Sequence, residues 1–172
     1  MKIFNRLFCI VLLLSTLNGC FTLKYDLKGG ASIDPKIKTL SIQYFNNHAP
    51  SSLDPSLSQS FTDGLRAYME SNTSLRVVNT MGDADFSGEI TNYGVVSSGV
   101  AAGDIPAKTR FTITIRVKYT DSVNPKNSFD TSFSSFRDFD SKTNFDSVKD
   151  DLTKEIVKEI IEEIFNKAFV NW

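Results

Sequence analysis

Histidine occurs once in the 172 residues, at His48, and cysteine twice, at Cys9 and Cys20. A single imidazole cannot form a histidine-pair metal site, and no partner for a Ser-His dyad is evident, so no catalytic residue, metal or cofactor is expected. A basic excess is also missing. Lys and Arg total 19 against 20 Asp and Glu, which excludes a general nucleic-acid binder, since that needs cations to displace phosphate counterions. With only 9 Gly and 5 Pro the chain is neither fibrous nor of low complexity, and with 41% hydrophobic residues it is too apolar for disorder. The length fits one domain with a short appendage.

The first twenty residues carry the most specific signal. Lys2 and Arg6 precede the apolar run Leu7 to Leu14. Eight residues make about 12 Å of helix at ~1.5 Å per residue, well short of a hydrocarbon core of about 30 Å. A basic start, a short apolar core and a small residue before a cut form a secretory signal peptide, here residues 1–19. It ends in Leu17-Asn18-Gly19-Cys20, which looks like a bacterial lipobox, although Asn18 is a less usual residue at its place. The Cys20 thiol is the expected lipid attachment. Cys9 leaves with the signal, so the mature domain has no disulfide and is held by its core alone. Two or three acyl chains give lasting attachment where one gives only marginal binding. The protein is then anchored to a membrane without spanning it.

Residues 20–33 form the lipidated cysteine and a tether. Phe21, Leu23, Tyr25 and Leu27 alternate, so part of it is suited to pair as an edge strand, and Lys28-Gly29-Gly30 marks its loose end. A single domain over residues 34–172 follows. Lys36 to Phe45 reads as a strand with Leu40, Ile42 and Tyr44 on one face. Asn46 to Ser52 reads as a loop. Asp54-Pro55 is a helix start, and Leu57, Phe61, Leu65 and Tyr68 form the apolar stripe. Leu75 to Val78 is a second strand, parallel to the first. Asp85 to Val96 is a third, with Gly88 and Gly94 marking bulges or the close approach of another backbone. Ser97 to Pro106 is a small-residue loop, a hairpin tip or an inserting loop.

Lys108 to Tyr119 alternates without a break: Phe111, Ile113, Ile115, Val117 and Tyr119 on one face, Arg110, Thr112, Thr114, Arg116 and Lys118 on the other. Asp121 to Asn127 is a turn and Ser128 to Phe136 an antiparallel partner. Phe145 to Phe169 is a long helix whose Val148, Leu152, Ile156, Ile160 and Ile164 share a stripe, with Glu155, Glu159 and Glu163 as a solvated row and Glu163 and Lys167 spaced to pair. The fold class is α+β: a two-layer sandwich, a mixed sheet of four to five strands with two helices on one face, the polar face left open.

That polar face carries Lys108, Arg110, Arg116 and Lys118, cations about 6.5 to 7 Å apart where they lie two residues apart on one strand. Two readings stand. The row meets phosphates or carboxylates of an anionic glycolipid, or it is a solvated face neutralised by cross-strand partners such as Glu89 or Asp130. The pairs Asp83-Ala84-Asp85 and Asp138-Phe139-Asp140 lie at strand ends, where Asp serves turns. A polar cleft centred on Asp138 and Asp140 would favour a hydrolase.

Ser41-Ile42-Gln43-Tyr44-Phe45-Asn46, the helix with Leu57, Phe61-Thr62 and Leu65, then Thr73-Ser74-Leu75, the strand Asp85 to Tyr93 with Gly88-Glu89-Ile90-Thr91-Asn92, and the closing Ile164-Phe165-Asn166-Lys167 come in an order and spacing that resembles the LptE-like lipopolysaccharide-assembly lipoproteins of Gram-negative outer membranes. The resemblance implies a non-enzymatic partner of the LptD-type β-barrel, seated partly in its lumen, assisting its assembly and contacting lipopolysaccharide. It implies an outer-membrane, lipid-anchored, periplasm-facing location, with which the absence of an acidic run after Cys20 agrees. The alternative is a stand-alone periplasmic lipoprotein that binds an anionic glycolipid or another envelope component.

Overall fold

A computed structural model describes residues 33–50, 56–98 and 108–170. Strand β1 (Thr39–Ile42) and the two-residue β2 (Asn46–Asn47) precede helix α1 (Leu57–Asn72); β3 (Arg76–Val77), β4 (Ala84–Ser98), β5 (Lys108–Asp121) and β6 (Phe129–Asp140) follow, and helix α2 (Lys149–Phe169) closes the order. The sheet runs β3-β1-β4-β5-β6, with β2 pairing β4 beyond the end of β1. β1 is parallel to β3 and β4, whereas β4-β5 and β5-β6 are antiparallel. The result is the expected α+β sandwich with an open mixed sheet. The signal peptide, Cys20 and the tether lie outside the described residues, as do Asp54-Pro55 and most of the loop Ser97 to Pro106; the described helix starts after Ser56, whose side chain makes no cap bond.

The core lies on one side of the sheet. Phe111, Ile113, Ile115 and Val117 of β5 are fully buried there, against Leu57, Phe61 and Leu65 of α1 and Ile156, Ile160 and Ile164 of α2. Period two in the strand and a wide apolar stripe in each helix produce this packing. The helices approach closely at Gly64, where an added Cβ would lie 3.2 Å from Ile161 Cδ1.

The first strand departs from its expected alternation. Tyr44 is 50% exposed, while Phe45 is fully buried. The register shows why. Ile42 faces Phe86 and Asn46 faces Glu89, so four steps on the β1–β2 edge oppose three on β4. One extra residue reverses the faces beyond it. Tyr44 turns out and Phe45 turns in, to pack edge-on to Phe61 with ring centroids 5.0 Å apart. Gly88 leaves the space for this ring, since its own Cβ would lie 2.7 Å from Phe45 Cε1.

Other boundaries shift. The register irregularity in β4 falls between Ile90 and Asn92 rather than at either glycine; Gly88 instead marks the close approach of the Arg116 backbone. Thr91 takes the extra place, its hydroxyl donating to the Thr114 carbonyl at 3.2 Å, so Ile90 and Tyr93 both face the core. β6 continues four residues past Phe136 because Arg137 and Asp138 find partners there. The long helix begins with a 3-10 turn, Phe145–Ser147, held by the Phe145 ring, which stacks on Phe139 and meets Phe111 edge-on. No described helix is long and apolar enough to cross a membrane.

Candidate functional site

The face of β4, β5 and β6 turned away from the helices carries polar side chains. Cross-strand pairing sets them in rows: Lys108 faces Asp140, Arg110 faces Asp138, Thr114 faces Ser134, Arg116 faces Ser132 and Lys118 faces Asp130. Both arginines of the predicted stripe are therefore neutralised within the chain. Arg110 donates through Nε and Nη2 to the two Asp138 oxygens at 2.8 and 2.9 Å. Arg116 reaches diagonally to Asp130 with bonds of 2.8 and 3.0 Å. Hydrogen bonds from their arginines hold both aspartates below the ordinary carboxylate range. Among the described residues no ion pair joins Lys108 or Lys118. The stripe keeps its shape, but its arginines already have the kind of carboxylate partner that the solvated-face reading anticipates; such solvent-screened pairs add little to stability.

His48 is 64% exposed and shares a short contact with Glu89, Nδ1 to Oε2 at 2.7 Å. Both line a shallow cleft of about 310 Å³ with Asn46, Arg116, Lys118 and Asp130. The loop expected around His48 is therefore partly strand: Asn46 and Asn47 pair with β4, and the His48 N–H continues the ladder to the Ile90 carbonyl at 2.9 Å.

The carboxylate pairs do not converge on a cleft. Asp83 Oδ2 accepts from Lys38 N, Thr39 N and Thr39 Oγ1 at 2.9 to 3.0 Å, clamping β1 to the start of β4. These bonds, the one from the Lys38 amide first, hold its pKa down. Asp85 accepts from Ser41 and Gln43. Asp138 is taken by Arg110, and Asp140 accepts from the Lys142 amide at 2.8 Å. Each carboxylate has a structural duty, as strand-end aspartates commonly do.

The glutamate row of α2 is not simply solvated. Arg137 of β6 bridges Glu155 at 2.9 Å and Glu159 at 2.8 Å, and Ser135 donates to Glu159 at 2.9 Å. The Arg137 bond is the main reason the Glu159 pKa is lowered, whereas burial, and then Glu159 itself, raises that of Glu163. Lys167 lies over the Phe129 ring at 5.2 Å rather than beside Glu163.

These lowered carboxylates fix a sign. A group whose folded pKa lies below its unfolded value, about 3.9 for Asp, adds stability above the unfolded pKa and loses it as pH falls through the folded one. Asp83, Asp130, Asp138 and Glu159 all act this way. The urea midpoint is therefore expected to hold above about pH 5 and fall below it, with a smaller fall in Asp83→Asn. An unchanged midpoint from neutral to strongly acidic pH would contradict the assignment.

Two exposed apolar residues escape the sequence pattern. Val96 is 60% exposed and Phe136 46% exposed. Both lie on the open face, and Arg110 covers the Phe136 ring at 3.7 Å. A signal exists for Phe136: Phe129, Phe133 and Phe139 share one parity, and Phe136 has the other. An aromatic ring beneath an arginine on an otherwise polar surface is a common composition for the centre of a protein contact.

Comparison with known proteins agrees with this architecture. A family model described as LptE, lipopolysaccharide-assembly, matches residues 37–168. No curated protein matches. Among solved structures the chain is similar to a minor lipoprotein from Acinetobacter baumannii, with 12% identity and a TM-score of 0.50 over 76% of this chain and 91% of that one. It is also similar to a hypothetical protein from Chlamydia trachomatis, with 9% identity and a TM-score of 0.54 over 78% and 99% of the two chains. At such identities the likeness is one of fold.

Proposed function

From the fact that this chain belongs to the LptE lipopolysaccharide-assembly family, we propose that it is a non-enzymatic outer-membrane lipoprotein, anchored through Cys20 after removal of residues 1–19. It partners an LptD-type β-barrel on the periplasmic side and contacts lipopolysaccharide during its transport. The observation that carries the reading is the sheet itself: among the described residues one face packs against both helices, and the other is uncovered and mostly polar. Such a face suits a water-filled lumen, where a wholly apolar surface would not be wetted. Phe136 and Val96 give that face an apolar anchor point for the barrel wall. The tether, residues 20–33, joins the anchor to the domain, residues 34–172.

The residues proposed to meet lipopolysaccharide are Lys108, Arg110, Arg116 and Lys118. Asp130 and Asp138 compete with an anionic ligand for the two arginines, and this makes the assignment testable with purified protein. Arg110→Ala with Arg116→Ala is expected to weaken lipopolysaccharide binding by roughly threefold to tenfold. Asp130→Asn with Asp138→Asn is expected to strengthen it, because the guanidinium groups are released. Both effects shrink as salt screens exposed charges over about 10 Å. Equal affinity in wild type and both double variants, measured by titration calorimetry, removes the stripe from the ligand site while leaving the barrel partnership untouched.

A further inference from the structure

Helices α1 and α2 run in the same sense across the covered face of the sheet. They meet at Gly64 and Ile161 and, one turn further on, at Tyr68 and Phe165, whose ring centroids lie 5.4 Å apart. From that contact back to Ser56 and Asp150, a groove of about 480 Å³ lies between them. The sequence accounts for the space. Ser56, Ser60 and Gly64 recur at every fourth residue along the α1 wall, one above the other on the helix face, and none has the bulk to fill the gap. Tyr68 closes the narrow end. The Ser60 hydroxyl turns back to the Ser56 and Leu57 carbonyls of its own helix. Opposite, Val157 and Ile161 make the α2 wall apolar. Apolar walls with a few polar groups, enclosing about 300–1,000 Å³, are the usual build of a small-ligand site.

A second observation points to an occupant. Thr153 borders the groove and is only 8% exposed, and its hydroxyl oxygen is buried with no hydrogen-bond partner among the described residues. Buried hydroxyls are nearly always paired. A threonine exchanges the places of its hydroxyl and methyl in one rotamer step, so an acceptor seated in the groove completes this one. Charge then sets the character of the acceptor. Lys154 stands exposed on the rim beside Thr153, and among the described residues no ion pair engages it. The N-terminal end of α1, whose first turn carries no acidic residue, opens on the same wide end and favours an anion there. The narrow end does not: burial first, and then the nearby Glu162 carboxylate, raise the Tyr68 pKa.

We propose that this groove binds a single-chain amphiphile with an anionic head, supplied as a free fatty acid or a lysophospholipid. The chain lies against Gly64, Tyr68, Val157 and Ile161, and the head meets Lys154 and the Thr153 hydroxyl. The length agrees, since Ser56 to Tyr68 spans about 18 Å at ~1.5 Å per residue, the reach of an extended fatty chain. Asp150 borders the wide end as well and, one turn before Lys154, competes for its ammonium group. The groove lies on the helical side, away from the Lys108–Lys118 stripe, and its assignment rests neither on the Cys20 anchor nor on a barrel partner.

Photolabelling of the full mature chain, mixed with phosphatidylcholine vesicles, tests the site. The probe is myristate carrying a photoactivatable group on its chain. Label is expected in peptides spanning residues 56–68 and 150–161. Ser60→Phe, which fills the groove, and Lys154→Gln are each expected to cut it at least about threefold, and Asp150→Asn to raise it. Lys126→Gln, on the turn before β6, is the charge control. Thr153→Val separates binding from folding: it is expected to lower labelling while its urea midpoint stays level or rises, because an unpaired buried hydroxyl is removed. Competition by unlabelled myristate or by lysophosphatidylglycerol supports the proposal and tells the two sources apart. Equal labelling of wild type, Ser60→Phe, Lys154→Gln and Thr153→Val overturns it. So does displacement by neutral myristyl alcohol as readily as by myristate, which removes the anionic head, or displacement by lipopolysaccharide alone, which makes a multi-chain glycolipid the occupant.

Discussion

Gly88→Ala is expected to destabilise the domain by more than about 3 kcal/mol, enough to prevent accumulation of folded protein in a fold without disulfides. An alanine Cβ at this position would fall within the radius of the Arg116 carbonyl oxygen on β5 and 2.7 Å from the Phe45 ring. Neither neighbour has room to give. The carbonyl belongs to the centre of the β4–β5 ladder. Phe45 is fully buried against Phe61, and its inward turn depends on the extra residue between β1 and β2. Gly94→Ala serves as the control, because its Cβ would meet only the Asn92 side chain, at 3.3 Å and beyond. Urea denaturation of both variants checks the contrast. A Gly88→Ala midpoint near that of wild type would mean that the packing around Phe45 is wrong.

Cys20→Ser, produced in excess of the barrel partner, is expected to have the largest effect in the cell: transfer of that excess from the membrane fraction to the soluble fraction. Each buried acyl methylene contributes about 0.8 kcal/mol, and protein in excess of the barrel has no other proposed attachment. The domain itself is expected to fold normally, because its core draws on residues far from the cysteine. Fractionation with an immunoblot, together with the intact mass of the wild-type protein, checks both halves. Excess Cys20→Ser protein that stays membrane-bound after a high-salt wash, or a wild-type N-terminus without acyl mass, would contradict the anchor.

The β5 strand is legible from the sequence alone because its period-two pattern runs unbroken from Lys108 to Tyr119, and both helices are legible from their stripes. The parallel β1–β3 pair follows from chain order and handedness. Local alternation puts Tyr44 and Phe45 on the wrong faces because a one-residue bulge leaves no mark in it; the bulge shows only when β1, β2 and β4 are aligned against one another. The stripe is legible as a set of cations, but its neutralisation by Asp130 and Asp138 depends on the β5–β6 register, which the turn sets and the strand pattern does not. Arg137 escapes notice for a similar reason. Its partners, Glu155 and Glu159, lie on a helix, and only the packing of α2 on β6 brings them together.

The central claim is that the open sheet face is covered by a larger outer-membrane neighbour while the helices stay outside that contact. Site-specific photocrosslinking in cells tests it most directly, with the probe at Ser132 or Ser134 on the open face and at Lys158 on the helical side. The account predicts that the two sheet positions capture one large outer-membrane β-barrel protein and that Lys158 does not. Barrel capture from Lys158 alone, or none from the sheet face of a Cys20-anchored protein in the outer membrane, would contradict it.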